Sequence, residues 1–346
     1  MTVQTLTVRP DEADQRLDRW LRRHFPHVSQ GRIEKLCRKG EIRVDGGRVK
    51  PSTHVVPGQQ IRVPPLPVIE ALPVTPRTGI APEDAEMIRA AVIYRDDDLI
   101  VLNKPAGLPS QGGSGVTRHI DGLAGALTFD LDEKPRLVHR LDKDTSGVLL
   151  MARTQRVASA LTAAFRLRET RKIYWAVVAG VPHPQMGTIR YGLMKAGGHG
   201  AKGEGEKMVC IHPDEIATTD GALRATTDYA VLSVLGRRAA WVALAPITGR
   251  THQLRAHMAE LGNPIIGDGK YGGSGQENLG DGWGAQLGGD ISRKMHLHAR
   301  LLRIAHPVTG RVLTFTAALP PHMERTWETV GWSPSDVAAD PFGDDA

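Results

Sequence analysis

Apolar residues recur along this chain in two rhythms. Between Gln15 and His24, Leu17, Trp20 and Leu21 fall at i, i+3 and i+4, the spacing of one helical face. Pro26 ends that segment. Ser29 is placed to N-cap a second helix with Ile33, Leu36 and Cys37 as its buried stripe. Gly40 stands where a left-handed C-terminal residue is wanted. The rhythm then shortens to two: Ile42 and Val44, an Asp45-Gly46 turn, Val49, and later Ile61 and Val63. Two helices and a small β-ribbon are predicted over residues 1–65. Pro64, Pro65, Pro67, Pro73, Pro76 and Pro82 punctuate the next stretch without periodicity, so residues 66–86 read as a semi-rigid linker.

Strand patterns resume at residues 91–94 and 99–102, with Asp96-Asp97-Asp98 as the turn between them. Val148 to Ala152 is apolar, β-branched at its start and bounded by Gly147, as expected of a buried strand. Residues 155–169 predict a helix burying Val157, Leu161, Ala164, Phe165 and Leu167. Residues 174–178 and 241–245 read as strands. Thr248-Gly249 turns the latter into a helix over residues 251–261, with Leu254, Met258 and Leu261 as its stripe and Gly262 as its stop. Residues 196–205 and 272–290 are Gly-rich loops. The acidic, proline-punctuated residues 331–346 predict a disordered tail.

With 346 residues, 40% of them apolar, the chain suggests two domains of about 100–200 residues each. Cys37 and Cys210 are the only cysteines. They offer neither a disulfide framework nor a Cys-based zinc site, and they fit a reducing cytoplasm. No apolar run reaches the about 18–20 residues of a membrane helix. Asp11, Glu12 and Asp14 precede any apolar stretch, unlike a signal or transit peptide. The net charge of +6 is unevenly spread: residues 15–65 hold 12 Lys/Arg against 4 Asp/Glu, and the remainder nets −2. Arg19, Arg22, Arg23, Arg32, Lys35, Arg38 and Lys39 lie off the helical stripes. A charged face is ordinarily a solvated one, but this one has few interspersed acids and is mostly Arg, which grips phosphate in bidentate fashion and stacks on bases.

The chemistry-bearing stretch is Val138 to Ala152. Its polar first half would form a turn feeding the strand, where reactive groups are commonly mounted. Asp142 and Asp144 are the candidate carboxylates, and by spacing alone both read equally well as solvated turn residues. His252 and His257 are five apart, not four, and lack the Glu of a helical zinc pair. His296 and His298 alternate on a strand and would supply at most half a metal site, so no metal is expected.

His139-Arg140-Leu141-Asp142-Lys143-Asp144-Thr145-Ser146-Gly147 resembles the signature of the RluA-type pseudouridine synthases. Asn103-Lys104-Pro105-Ala106-Gly107 resembles that family's early motif, and Arg171-Lys172-Ile173-Tyr174 its tyrosine motif. The segment from Pro246 to His257 resembles its arginine motif, and the four run in the family's order. The Gln111 to Gly115 run is most similar to the branch acting on large-subunit (23S) ribosomal RNA. Residues 1–65 resemble the S4 RNA-binding module, which docks on structured RNA by backbone and shape.

The resemblance implies an α+β fold. An S4-like helix-helix-β-ribbon module and a Pro-rich linker would precede a catalytic domain over residues 87–330, built on a mixed, mainly antiparallel β-sheet flanked by helices. It implies a cytoplasmic, monomeric isomerase acting on ribosomal RNA without a cofactor. Transfer RNA is the alternative target, and a non-catalytic RNA-binding or assembly protein the remaining class. Asp142 is the implied catalytic carboxylate, and Arg255 the ion partner that offsets its desolvation. Arg140 would fill the gap left by, or hold, the flipped nucleotide. Tyr174 would stack on the uracil and help move the proton at the new bond. Asp144 falls in a variable slot and serves as the control.

Overall fold

The computed structural model describes residues 3–66, 79–113, 116–196, 207–272 and 291–343. Most of the expected linker, most of both Gly-rich loops and the end of the 111–115 run lie outside the described residues. The chain divides into two units, Met1–Gly79 and Ile80–Ala346.

In the first unit, β1 (Gln4–Thr7) precedes α1 (Leu17–His24) and α2 (Gln30–Lys39). The strands β2 (Arg43–Val44), β3 (Gly47–Arg48) and β4 (Gln60–Val63) follow. The sheet order is β1-β4-β2-β3. Ser29 caps α2 by accepting the Arg32 N–H, and Gly40 closes it at φ 71°. Asp45 and Gly46 both have positive φ, the conformation of a tight hairpin turn whose twist matches its strands. Leu17, Trp20, Leu21, Ile33, Leu36 and Cys37 pack against Val44, Ile61 and Val63. The seven basic residues singled out on α1 and α2 are all exposed. β1 went unpredicted. Near it, buried Glu12 accepts from the Arg9 N–H at 3.1 Å, Trp20 Nε1 at 2.9 Å and His24 Nε2 at 2.9 Å. Burial alone would raise its pKa, but these donors outweigh it and bring it to about 2.

The second unit opens with α3 (Pro82–Ala90), β5 (Val92–Arg95), β6 (Leu99–Lys104) and α4 (Ile120–Leu123). Next come β7 (Arg136–Leu137), β8 (Ser146–Ala152), α5 (Gln155–Leu167) and β9 (Arg171–Ala179). β10 (Met186–Lys195), β11 (Met208–Ile211), β12 (Leu223–Leu235) and β13 (Ala239–Pro246) lead to α6 (Gln253–Glu260). β14 (Leu297–Ala305), β15 (Val312–Thr316) and α7 (Pro321–Val330) finish it. One sheet runs β11-β10-β12-β13-β9-β14-β8-β6-β5, with β15 beside β14 and β7 beside β8. Its named pairs are antiparallel except β8 with β14, so the sheet is mixed and mainly antiparallel.

Both faces of this sheet are covered, which explains its continuous apolar strands. Ile100, Leu102, Leu149 and Met151 pack with α3 and α4, while Leu99, Val101, Val148 and Leu150 pack with α5. Along β13, Trp241 and Ala243 face α7, and Val242 and Leu244 face α6.

Four expectations need correction. The assigned linker contains the start of α3, which Pro82 opens at N1 with Glu83 and Asp84 in its first turn. Leu167, expected inside, is 61% exposed, because α5 ends there. α6 is not amphipathic: Gln253 to Met258 are all buried, since the helix packs on β10, β11, β12 and β13. The tail is ordered through residue 343. Trp332, Val337 and Phe342 pack against the core around Trp241 and Trp327, and Asp340 binds Arg171 in bidentate fashion at 2.7 and 2.8 Å. Among the described residues, no helix is long and apolar enough to cross a membrane.

Candidate active site

The turn carrying Asp142 is clamped by the loop that follows β6. Buried Lys104 donates through Nζ to the carbonyls of Pro105, Leu108 and Lys143 at 2.7–3.0 Å. The Gly107 N–H donates to the Lys143 carbonyl as well, at 2.9 Å. Burial pushes the Lys104 ammonium down to about 7. Its three carbonyl partners nevertheless call for three N–H donors, which only the protonated form supplies. Ser110 Oγ donates to the Leu141 carbonyl at 2.7 Å and accepts the Leu141 N–H at 3.0 Å. The Asn103-to-Gly107 motif thus holds Lys143, and Ser110 just beyond it holds Leu141, one on each side of Asp142.

Two histidines and a glycine hold the other side of the turn. His139 Nε2 accepts the Leu150 N–H at 2.9 Å, and its ring stacks on Phe165. Burial, then the charge of Lys172, pushes His139 down to about 3, so it is neutral. His298 donates through Nε2 to the Ala317 carbonyl at 3.2 Å, which leaves Nδ1 to accept the Ser146 hydroxyl at 2.8 Å. Gly147 has φ 108°, and a Cβ there would collide with the Ala299 carbonyl of β14. The motif therefore ends on glycine because two strand backbones meet there. His296 is likewise engaged, by the Lys294 carbonyl and Thr326 Oγ1 at 2.8 Å each.

Asp142 and Arg255 meet as the resemblance implies, with Arg255 Nη1 3.5 Å from Asp142 Oδ2. The tighter partner of Arg255 is one the sequence reading missed. Buried Asp268 takes Nε at 2.6 Å and Nη2 at 2.8 Å, and it also accepts the N–H groups of Lys270 and Tyr271. Burial works against the Arg255 charge, but Asp268 and then Asp142 raise its pKa above the ordinary value. The guanidinium lies 5.1 Å from the Tyr271 ring centroid. Tyr271 Oη is 3.0 Å from His252 Nδ1, and His252 Nε2 is 3.9 Å from Asp142 Oδ2. One signal of Asp268 was present in the sequence, an isolated acid between Gly267 and Gly269 just after the apolar Pro264-Ile265-Ile266.

Arg140, Asp142, Tyr174 and Arg255 line one cleft of about 540 Å³. That volume suits a nucleotide. Arg166, Arg168, Lys172 and Arg250 line it too. Arg140 is exposed, and Tyr174 is half-buried on β9. Burial, then the negative charge of Asp142, pushes the Tyr174 phenol upward, so it stays protonated. Asp144 is exposed and is not among the lining residues. The seven basic residues of α1 and α2 belong to the other unit.

Comparison with known proteins agrees with this arrangement. The family model described as RNA pseudouridylate synthase matches residues 98–260, and that of the S4 domain matches residues 15–61. The first span contains Asp142, Tyr174 and Arg255 but not Asp268 or Tyr271. A Yersinia pestis protein named ribosomal large subunit pseudouridine synthase C is 34% identical over 322 residues, 92% of each chain. A Rickettsia bellii protein of the same name is 35% identical over 316 residues, covering 90% of this chain and 96% of its own. The solved structure of human RNA pseudouridylate synthase domain containing 4 is 30% identical, with a TM-score of 0.54, over 71% of this chain and 95% of that one. Sequence, fold and cleft converge: the chain belongs to the RNA pseudouridylate synthase family and is a pseudouridine synthase with an N-terminal S4 domain.

Proposed function

We propose that this enzyme converts uridine to pseudouridine in large-subunit (23S) ribosomal RNA, with Asp142 as its catalytic carboxylate. The observation that carries the assignment is the site of Asp142: a nucleotide-sized cleft, against a buried guanidinium, with basic residues around it. The reaction breaks a nitrogen–carbon glycosidic bond, turns the base and rejoins it through carbon, so it consumes no co-reactant. A carboxylate serves such chemistry as a nucleophile toward the sugar or as a stabiliser of charge developing there. The uridine first leaves its stack, at a cost of about a few kcal/mol. Arg140 at the cleft takes the gap or the extruded nucleotide. Tyr174 stacks on the uracil, and its protonated phenol favours that role over abstracting a proton. Arg166, Arg168, Lys172 and Arg250 receive the flanking phosphates.

The names of the Yersinia and Rickettsia relatives support a ribosomal target. The two free cysteines support a cytoplasmic setting. The expected result for Asp142→Asn is loss of isomerisation with RNA binding retained, while Asp144→Asn stays active. An Asp142→Asn enzyme turning over at the wild-type rate would sink the assignment. Pseudouridine mapping in total RNA from cells lacking the protein identifies the target. Loss from transfer RNA instead of large-subunit RNA would overturn the ribosomal reading.

A further inference from the structure

We infer that His252 is a second positioning residue for Asp142, kept in one tautomer by the hydroxyl of Tyr271; this rests on Asp142 being the catalytic carboxylate. One donor at Tyr271 cannot reverse. The Met208 backbone N–H reaches Tyr271 Oη at 2.8 Å, so Oη accepts there. His252 Nδ1 lies 3.0 Å from the same Oη, and the hydroxyl proton is assigned to that contact, with Nδ1 as its acceptor. With Nδ1 accepting, a neutral imidazole carries its proton on Nε2. That nitrogen faces Asp142 Oδ2 at 3.9 Å. The opposite tautomer would set a lone pair against a carboxylate oxygen.

Arg255 Nη1 approaches the same Oδ2. With the guanidinium at 3.5 Å and the imidazole at 3.9 Å, both positive N–H edges face one oxygen, which biases the rotation of the carboxylate and leaves Oδ1 as the atom to meet the sugar. Tyr271 braces both donors, since its ring lies against the Arg255 guanidinium while its hydroxyl holds His252. His252 also has φ 52°, a left-handed conformation unusual for a non-glycine residue, at the N-cap of α6. Asp142, Asp268, Arg255 and Lys270 are the charged groups facing the ring, and burial sets the direction, holding it neutral.

The test reads the tautomer first. In the full-length enzyme with ¹⁵N-labelled histidine, nitrogen–proton correlation at pH 7 is expected to show His252 protonated at Nε2 alone. Tyr271→Phe is expected to abolish that preference. A proton on Nδ1, or on both nitrogens, in the wild-type protein would overturn the inference. Kinetics gives the second readout. His252→Asn tolerates the left-handed backbone but is too short to reach Asp142. Its kcat is expected to fall about 10–100-fold, the scale of a small misplacement of a reacting group, with RNA affinity unchanged. His252→Gln, which restores the reach, recovers part of the loss. Tyr271→Phe lowers kcat as well, and the double variant is no slower than the slower single one. Additive losses, or a His252→Asn enzyme at the wild-type kcat, would overturn it. An inactive Asp142→Asn beside a fully active His252→Asn sinks this inference alone, whereas an active Asp142→Asn sinks the assignment beneath it.

Discussion

Asp142 and Asp268 flank one guanidinium, yet they contribute differently to stability. Arg255 is nearly buried, with 9% side-chain exposure, and Asp268 is its fully buried bidentate partner. Removing that partner strands a charge in the interior, at a cost of about 3–5 kcal/mol. Asp142 is 21% exposed and stands 3.5 Å off, so the pair it makes is worth about 0.2–1 kcal/mol. Asp268→Asn is therefore expected to lower thermal stability strongly. Asp142→Asn is expected to leave the unfolding midpoint within a few degrees while abolishing turnover. Thermal unfolding of the two variants checks this, and equal destabilisation would refute the division of roles. Asp142, Tyr174 and Arg255 were legible because each lies inside a contiguous motif. Asp268 was not, because its role exists only once α6 and the loop after Ile266 are brought together. On its other side the loop runs so close to the segment before β14 that a Cβ on Gly267 would strike the Lys294 carbonyl.

The ends of the elements carry the strain that sequence rhythm does not reveal. α5 terminates at Arg168 with φ 62°, a position where glycine is the usual occupant. The left-handed conformation costs a side-chain-bearing residue about 1–2 kcal/mol, offset in part by the greater freedom of glycine in the unfolded chain. The fold keeps an arginine there, and that arginine lines the cleft. Arg168→Gly is expected to stabilise the protein by about 0.5–1 kcal/mol while weakening RNA binding. Paired denaturation and binding measurements check it, and a variant that binds RNA as tightly as wild type would show Arg168 idle in recognition. Buried strands and capped helices were readable, since β8, α2 and β13 announce themselves by apolar runs and caps. α3 was hidden because its opening proline resembled one more linker proline. The tail was hidden because acidity suggests solvation, whereas Asp340 has Arg171 and Phe342 has the Trp241–Trp327 cluster.

At the scale of the whole molecule, one parallel pairing joins the sheet around the site. β8 and β14 meet at His298–Ser146 and Ala299–Gly147, about 150 positions apart along the chain. No local pattern could predict that contact, although Gly147 marks the place. Charge, by contrast, was legible from counting. The excess of the first unit sits on α1 and α2, where all seven basic residues are exposed, and that unit is an S4 domain. If these residues meet RNA phosphates, each contact releases counterions, and the logarithm of affinity falls by about one unit of slope per contact against the logarithm of salt. Replacing Arg19, Arg22, Arg23, Arg32, Lys35, Arg38 and Lys39 by glutamine should therefore weaken ribosomal RNA binding at low salt and flatten its salt dependence by several units. Because none of the seven lines the cleft, kcat at saturating RNA should be unchanged. An unaltered slope would mean that this face is merely solvated and that the basic residues beside Asp142 hold the RNA without it.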